Sequence, residues 1–279
     1  AAWHPDLVIH VGDLLYRESE CPPGSAGCLG DPWGYRWATF NADFFAPAAP
    51  LLSAAPWVFV RGNHESCARD GDAWFRFLEP RSMPAKCLDY TEPYAIPLGG
   101  LQLLVLDSSR ADDARVDPEH VAPYAAQFMA LRRLTGSNAW LVTHIPLWGI
   151  RHVETANGQE RLSFDNPLLR AASGNALPPG VKLVLAGHIH LFEFLSFTTP
   201  RAPQIVVGNG GTLLAPSVTT PLPGLQVAGA QVTAGRVLHQ FGYLTLEAAG
   251  TAWTVTLRDT GGMPVLACAL GNLSLSCPP

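Results

Sequence analysis

The sequence predicts an α/β fold, because runs typical of buried strands alternate with stretches typical of helices. Each run is short, continuous and rich in aliphatic and β-branched residues, as in strands that are covered on both faces. Strands and helices that alternate in this way form a parallel or mixed sheet with helices packed on it. The composition supports a large core, since 48% of the 279 residues are hydrophobic and only 15% are charged.

Six runs along the chain are predicted to be strands, and three stretches are predicted to be helices. The clearest helix starts at Asp117, where an N-cap residue precedes Pro118 and an acidic residue, and it should continue to Arg133. The other helices are expected over Tyr35 to Leu52 and over Asp165 to Ala172. The predicted strands are Asp6 to Val11, Trp57 to Val60, Leu101 to Leu106, Ala139 to Thr143, Val181 to Ala186 and Gln204 to Val207.

The C-terminal part of the chain has a different pattern. Apolar and polar residues alternate over Val237 to Glu247 and over Ala252 to Arg258, and Ala249-Gly250 lies between these segments. This pattern predicts a C-terminal β-hairpin. Because no repeat, low-complexity tract or interdomain linker is visible, we expect residues 1–279 to form a single domain.

The six cysteines lie in three pairs of near neighbours within loop-rich segments. Local disulfides explain this arrangement best, although other pairings are open and six reduced, packed thiols are the alternative. Disulfides form in oxidising compartments, so we expect a secreted or periplasmic protein. No signal peptide is visible at Ala1, and we therefore expect that one was removed or that the sequence begins late. The near-neighbour pairs are Cys21 with Cys28, Cys67 with Cys87, and Cys268 with Cys277.

The charge pattern argues against nucleic acid as a main partner. The formal net charge is -5, the sequence pI is about 6.0, and Lys and Arg do not cluster. A nucleic acid-binding surface requires concentrated positive charge. No apolar run approaches the roughly 18 residues needed to cross a bilayer, so we predict no membrane span. The sequence carries no indication of the oligomeric state.

Four of the predicted strands run directly into loops rich in His, Asp and Asn. Ligands of open α/β sheets bind beyond the carboxyl ends of the strands, where such loops converge. Imidazole, carboxylate and amide oxygen together form a metal-ligand set, whereas a single Gly-Asp turn or a single core histidine would carry no such meaning. The four loops are Gly12-Asp13, Gly62-Asn63-His64-Glu65, His144 and Gly187-His188-Ile189-His190.

This order of motifs resembles the calcineurin-like metallophosphoesterase superfamily, and the resemblance runs from about Pro5 to Gly211. It implies a β-sandwich of mixed sheets flanked by helices, together with a dinuclear metal centre. By position, Asp13 would bridge both metal ions. The remaining implied ligands are Asn63, His144 and His188 at one metal, and His190 at the other.

The segment from Gly12 to Tyr16 resembles the purple acid phosphatase branch of the superfamily. In that branch, the tyrosine three places after the bridging aspartate binds ferric iron. The resemblance therefore implies that Tyr16 is a ligand, that one metal is iron, and that the other is zinc, manganese or iron. The alternative is that Tyr16 packs beneath the loop or stacks on substrate.

The sequence departs from the family pattern at its start. Family members open with a strand that ends in Asp-x-His or Asp-x-Gly and supplies a ligand to the same metal as His190. We therefore expect the sequence given to lack the first strand and the first metal-binding motif of the domain. Asp259-Thr260-Gly261 could mimic that motif in a circular permutant, but Gly261-Gly262 is more typical of a hairpin turn.

The resemblance implies hydrolysis of small phosphorylated substrates, above all phosphomonoesters, by a metal-activated hydroxide. His64 and Asp13 would be catalytic, with His64 protonating the leaving oxygen. Asn63, His64 and His152 would contact the substrate. Within the enzyme class, the alternative is a phosphodiesterase or nucleotide hydrolase. From other classes, the alternatives are a catalytically silent metal-binding module of the same fold and a disulfide-stapled structural domain with incidental histidines.

Overall fold

The computed structural model of the protein describes residues 4–25, 28–111, 114–154, 160–164, 166–198 and 200–278. Its helices are α1 Trp37–Phe40, α2 Ala46–Leu52, α3 Gly71–Phe77, α4 Pro118–Leu134 and α5 Pro167–Ser173, with a π-helical turn over Asn41–Phe45 between α1 and α2. Its strands are β1 Val8–His10, β2 Trp57–Phe59, β3 Tyr94–Leu98, β4 Leu101–Leu106, β5 Ala139–Thr143, β6 Ile150–Glu154, β7 Glu160–Phe164, β8 Val181–Ala186, β9 Phe192–Phe197, β10 Gln204–Val207, β11 Gln226–Val227, β12 Ala230–Leu238, β13 Tyr243–Ala249, β14 Ala252–Arg258, β15 Pro264–Gly271 and β16 Ser274–Ser276.

A mixed eight-stranded sheet forms the centre of the fold. Its strand order is β11-β12-β9-β10-β8-β5-β4-β3. The strands β10, β8, β5 and β4 are parallel, and the strands outside them run antiparallel to their neighbours. The four parallel strands are almost continuously buried, because both faces of the sheet are covered.

One face of this sheet packs on a second layer of strands. In that layer, β1 and β2 form a parallel pair, and β13 to β16 form an antiparallel sheet. Leu103 and Val105, which are alternate residues of β4, share one core with Val58 of β2 and Leu257 of β14. The two layers form the β-sandwich that the resemblance implied.

Helices cover the outer face of the eight-stranded sheet and the outer face of the β1–β2 pair. On the eight-stranded sheet, Leu104 and Leu106 of β4 pack with Phe128 of α4 and Leu169 of α5. On the second layer, α1 to α3 and the π-helical turn cover β1 and β2, with Phe44 among the buried side chains. The predicted α/β fold class is therefore confirmed.

All six predicted strands are present, and three ends differ in detail. β1 is shorter than predicted and its residues are half-buried, so it is less enclosed than a strand covered on both faces. The helix predicted from Asp117 is confirmed, since Asp117 Oδ1 accepts a hydrogen bond from the Glu119 backbone N–H at 3.0 Å. Asp165, the predicted start of the next helix, lies outside the described residues, and α5 begins after the N-cap Asn166.

The predicted C-terminal hairpin is confirmed at its turn but wrong in the extent of its first strand. Ala249 pairs with Ala252, as expected for a turn at Ala249-Gly250. Val237, however, belongs to β12 and pairs with Glu193 in the eight-stranded sheet. The first hairpin strand begins at Tyr243, because the chain crosses from one layer to the other before that residue. The hairpin is then extended by β15 and β16.

Three disulfides close local loops, as the sequence predicted. They join Cys21 to Cys28, Cys67 to Cys87, and Cys268 to Cys277. In the part of the chain that the structure describes, no helix combines the length and the apolar character that a membrane crossing requires.

Candidate metal centre

Four of the predicted ligands meet where the two layers bring their strand ends together. Asp13 and Asn63 follow β1 and β2, which are parallel, and His144 and His188 follow the parallel strands β5 and β8. His144 Nε2 lies 3.0 Å from Asn63 Oδ1 and 3.2 Å from Asp13 Oδ2. His188 Nδ1 lies 3.0 Å from Asn63 Oδ1 and 3.2 Å from His144 Nε2. Each layer therefore contributes two of the four side chains.

The hydrogen-bond chemistry of this cluster fits a bound cation. His144 Nδ1 lies 2.6 Å from the Val11 carbonyl oxygen, so the neutral imidazole carries its hydrogen on Nδ1 and exposes a lone pair at Nε2. That lone pair faces the oxygen atoms of Asp13 and Asn63, which are also acceptors. One ligand atom from each of Asp13, His144 and His188 lies within 4.8 Å of the others. A metal ion of the borderline type satisfies such a set of N and O donors.

His190 and Tyr16 extend the cluster beyond Asp13. The Tyr16 hydroxyl lies 3.0 Å from Asp13 Oδ2 and 3.1 Å from His190 Nε2. His190 Nδ1 lies 3.0 Å from the Leu213 carbonyl oxygen, which again leaves Nε2 for the centre. Burial, followed by the neighbouring Asp13 carboxylate, raises the pKa of Tyr16. The structure thus brings into contact Asp13, Tyr16 and His190, the three side chains to which the resemblance assigned a second metal.

The backbone around the cluster is held in unusual conformations. Asp13 has φ 58° and His188 has φ 69°, and both angles lie in the left-handed region that disfavours residues with a side chain. Gly62 has a different role, because a Cβ atom at this position would collide with the Asp13 carboxylate and the Asp13 backbone nitrogen. Close packing of the two loops therefore requires glycine at residue 62.

Glu65 holds the Asp13 loop in place, and sequence reasoning assigned it no role. Its Oε2 atom accepts hydrogen bonds from the backbone N–H groups of Gly62 and Asp13, both at 2.9 Å, and its Oε1 atom accepts one from Leu14 at 2.7 Å. Burial, with the Asp13 charge adding to it, raises the pKa of Glu65. The signal was its place in Gly-Asn-His-Glu, directly after two predicted site residues.

Charges within the cluster favour an ionised Asp13. Burial alone would raise the pKa of this carboxyl, but His144 and His64 lie close enough to hold it well below its usual range. Burial would in turn lower the pKa of His144, and the Asp13 carboxylate reverses this effect, so that the pKa is raised. A negative Asp13 is the state that can bind metal.

His64 stands beside the cluster with its two nitrogens in different surroundings. Its Nε2 atom lies 4.0 Å from Asp13 Oδ2, on the side of the centre. Its Nδ1 atom lies 3.0 Å from the Leu15 carbonyl oxygen and 2.8 Å from Glu18 Oε1. Glu18 Oε1 is also 2.6 Å from Arg69 Nη2. Burial, with Arg69 adding to it, lowers the pKa of His64, and the negative charges of Asp13 and Glu18 oppose this effect.

A buried ion pair contacts the backbone of the Gly-Asn-His-Glu loop. Arg61 is 1% exposed; its Nε atom donates to the Glu65 carbonyl oxygen at 2.8 Å, and its Nη1 atom lies 3.2 Å from Asp107 Oδ2. The same Nη1 donates to the Leu88 carbonyl oxygen at 2.7 Å. Asp107 also accepts from the Thr91 hydroxyl at 2.9 Å. The pair therefore fixes one end of a loop of the candidate metal centre.

Two sequence predictions concern residues at or beyond the edge of this centre. His152 lies half-buried on β6, in the hairpin that β6 forms with β7, and its assignment to substrate binding stays a prediction. Asp259 accepts hydrogen bonds from the backbone N–H groups of Gly261 and Met263, both at 2.9 Å. These bonds form the turn between β14 and β15, which favours the hairpin interpretation over a permuted metal motif.

The fold and the site together define a metal-binding α/β sandwich whose ligands come from strand-end loops. The chain belongs to the calcineurin-like phosphoesterase family, whose sequence pattern matches residues 1–192. This match confirms the resemblance that the motifs indicated.

Two purple acid phosphatases are similar to the chain. Purple acid phosphatase 18 of Arabidopsis thaliana is 25% identical in an alignment 226 residues long, which covers 75% of this chain and 47% of that protein. The structure of purple acid phosphatase PPD1 from yellow lupin seeds (Lupinus luteus) matches this chain with a TM-score of 0.62 and 16% identity. The match covers 95% of this chain and 46% of the lupin chain. The chain therefore spans about half the length of these relatives, and the lupin structure shows likeness of fold.

Proposed function

We propose that the protein hydrolyses phosphomonoesters at a centre of two metal ions. The observation that carries this proposal is the convergence of Asp13, Asn63, His144 and His188 donor atoms at contacts of 3.0 to 3.2 Å. Family membership supports phosphoester hydrolysis as the reaction class.

In this proposal, Asn63, His144 and His188 would hold one metal ion. Tyr16 and His190 would hold the second, and Asp13 would serve both. Bound metal ions of this kind polarise phosphoryl oxygens and lower the pKa of a water molecule. We propose iron at the Tyr16 side and zinc, manganese or iron at the other.

The chain's own residues then position the substrate and move a proton. His64 presents Nε2 to the centre while Leu15 and Glu18 hold Nδ1, so an imidazolium at this position can donate its Nε2 proton to the departing alkoxide. Asn63 orients the phosphate through its side-chain amide, and His152 also contacts the substrate. Asp13 contributes negative charge that keeps the ions in place.

The proposed location of the protein is outside the cytoplasm. Three disulfides are present, and all six cysteines take part in them. Bridges of this kind persist in oxidising compartments, which supports a secreted or periplasmic protein.

A catalytically silent module with one metal ion is the second candidate function. One observation favours it. Among the described residues, the side chains close enough together to bind one ion are Asp13, His144 and His188, and all three would serve the same ion. His190 Nε2 lies within hydrogen-bond distance of the Tyr16 hydroxyl, at 3.1 Å. A single ion would leave the second half of the centre to protein hydrogen bonds.

The deciding experiment combines metal analysis with an activity assay on protein purified without chelators. We expect two metal equivalents per chain and hydrolysis of phenyl phosphate, with much slower hydrolysis of a bis-aryl phosphodiester. Asn63→Ala and His188→Ala should remove at least one equivalent and the activity, whereas His4→Ala, at an exposed histidine, should change neither. One equivalent without hydrolysis would favour the silent module. Absence of metal even after it is added back would overturn both candidates.

A further inference from the structure

A pocket next to the candidate metal centre has no role in the proposal so far. It has a volume of about 190 Å³, and Tyr16 forms part of its wall. The rest of the wall comes from residues between Arg17 and Trp33, a segment in which the disulfide between Cys21 and Cys28 closes a loop. Tyr16 also contacts Asp13 and His190, so this one side chain belongs both to the pocket wall and to the candidate metal centre.

The size of the pocket suits a single ring. An apolar cavity of about 150 Å³ in another protein holds a benzene molecule. Trp33 lines the pocket and is 43% exposed, so part of its indole surface is open to a ligand. Pro22 and Pro32 add flat, weakly polar surfaces to the same wall. Rings of aryl groups and of hexoses stack on surfaces of this kind.

The charges of the pocket disfavour an anionic group. Arg17 is the only lining residue among those described that carries positive charge, and it is already engaged by Asp31 at 2.7 Å and by Asp43. Glu20 and Asp31 both line the pocket, so its formal charge is negative. A second phosphate, as in a nucleoside polyphosphate, would meet these carboxylates. Outside the lining residues, the Arg36 guanidinium lies 5.6 Å from the centroid of the Trp33 ring.

We propose that this pocket binds the leaving group of the substrate, and that it selects phosphomonoesters in which this group is one uncharged ring that stacks on Trp33. The inference rests on the proposed phosphatase function and adds the substrate class to it. An aryl ring and a hexose ring share the stacking surface, and the two are distinguished by experiment.

The first test measures binding, independently of turnover. Phenylphosphonate and methylphosphonate are titrated calorimetrically into the metal-loaded protein, since neither is hydrolysed. We expect phenylphosphonate to bind between about twofold and tenfold more tightly, as the ring adds one stacking contact. Trp33→Ala should abolish this difference and leave methylphosphonate binding unchanged. Trp33→Phe should preserve it, and Leu29→Ala, which removes an exposed apolar side chain of the same segment, should have no effect.

A second measurement tests the charge. 4-Carboxyphenylphosphonate should bind more weakly than phenylphosphonate, by about twofold or more, and Glu20→Gln should reduce this penalty. A lower KM for phenyl phosphate than for glucose 6-phosphate would assign the pocket to aryl groups, and the reverse would assign it to hexoses.

The outcomes separate the pocket from the phosphatase proposal. If methylphosphonate binds but the phenyl group adds no affinity, or if Trp33→Ala weakens both phosphonates equally, the pocket assignment is wrong while the proposed function stands. If neither phosphonate binds to metal-loaded protein, the proposed function fails and the pocket assignment fails with it.

Discussion

The Nδ1 atom of His64 lies 2.8 Å from Oε1 of Glu18, on the side of the imidazole that faces away from Asp13. This contact connects a side chain of the Gly-Asn-His-Glu motif to a carboxylate that lies five positions beyond Asp13 in the sequence. It holds the imidazole ring in one orientation and stabilises its protonated form.

Glu18→Gln should slow the hydrolysis of substrates whose leaving group needs a proton. Gln retains an acceptor for His64 but removes the negative charge, so proton donation becomes less favourable. We expect kcat for an alkyl phosphate to fall roughly tenfold, and kcat for p-nitrophenyl phosphate by less than about threefold, because p-nitrophenolate departs without a proton. Steady-state kinetics with both substrates measure this, and Glu119→Gln on the exposed start of α4 is the control. Equal losses for both substrates would contradict a role in proton donation.

Gly62→Ala should disrupt the metal centre by a purely steric effect. The new methyl group would collide with the Asp13 carboxylate and approach Glu65 Oε2 at 2.8 Å. Overpacking of this kind costs about 1 to 3 kcal/mol, and we expect metal content to fall as well. Urea unfolding and metal analysis report the two effects. Gly100→Ala, where an added Cβ meets nothing within 4 Å, should change neither, and a metal-replete Gly62→Ala protein would show that the loops can separate.

Asp107→Asn should destabilise the fold, because it leaves the Arg61 charge buried without its partner. The two side chains are 1% and 4% exposed, and breaking such a pair costs roughly 3 to 5 kcal/mol. The free energy of unfolding in urea measures the loss. Glu247→Gln removes the partner of Arg258 in a pair where Glu247 is 54% exposed, and it should cost less than about 1 kcal/mol. A cost that small for Asp107→Asn would mean that water reaches Arg61.

Removal of the disulfide between Cys67 and Cys87 should destabilise the protein more than removal of the bridge between Cys21 and Cys28. The first closes a sequence separation of 20 residues and the second one of 7. Chain entropy predicts losses of about 3 and about 2 kcal/mol for the respective double alanine variants. Thermal unfolding of both variants under the same conditions tests the order. The reverse order would show that contacts of the loop containing residues 21 and 28 dominate over loop length.

Asp70→Asn should stabilise the protein at neutral and alkaline pH. Burial, with the negative charges of Glu18 and Asp72 adding to it, raises the pKa of Asp70 to about 6, and its Oδ2 atom has no hydrogen-bond partner. Because folding raises this pKa, the folded state favours the protonated carboxyl of Asp70. The resulting stability is fully present below about pH 4 and is lost as the pH rises through about 6. After solvent screening, we expect Asn to gain about 1 kcal/mol at pH 8 and little at pH 4. Unfolding midpoints at both pH values measure this, and a gain that does not depend on pH would contradict it.

The sequence predicted those strands whose local residue pattern is distinctive. The strands β4, β5, β8 and β10 have the predicted bounds, because continuous apolar runs bounded by polar loops are distinctive. β9 was missed, since Glu193 interrupts its apolar run; in the structure this buried carboxylate accepts from the backbone N–H of Ile150.

Side-chain contacts between distant loops could not be predicted in the same way. The motifs indicated that Asp13, Asn63 and the histidines would meet, because parallel strands bring their ends to one edge of a sheet. The approach of Glu18 to His64 depends on the path of an irregular loop, for which the sequence has no periodic signal. The pairing of Arg61 with Asp107 likewise arises only once β2 and β4 lie in facing layers.

The candidate metal centre takes Asp13 and Asn63 from one layer of the sandwich and His144 and His188 from the other. An ion bound there is a cross-link between two sheets that share no strand pairing, so its binding energy is available only to a chain whose layers have already come together in register. Ion binding would then distinguish correctly folded molecules from misfolded ones. Molecules with misassembled layers would fail to retain the ion and would also be the first to unfold.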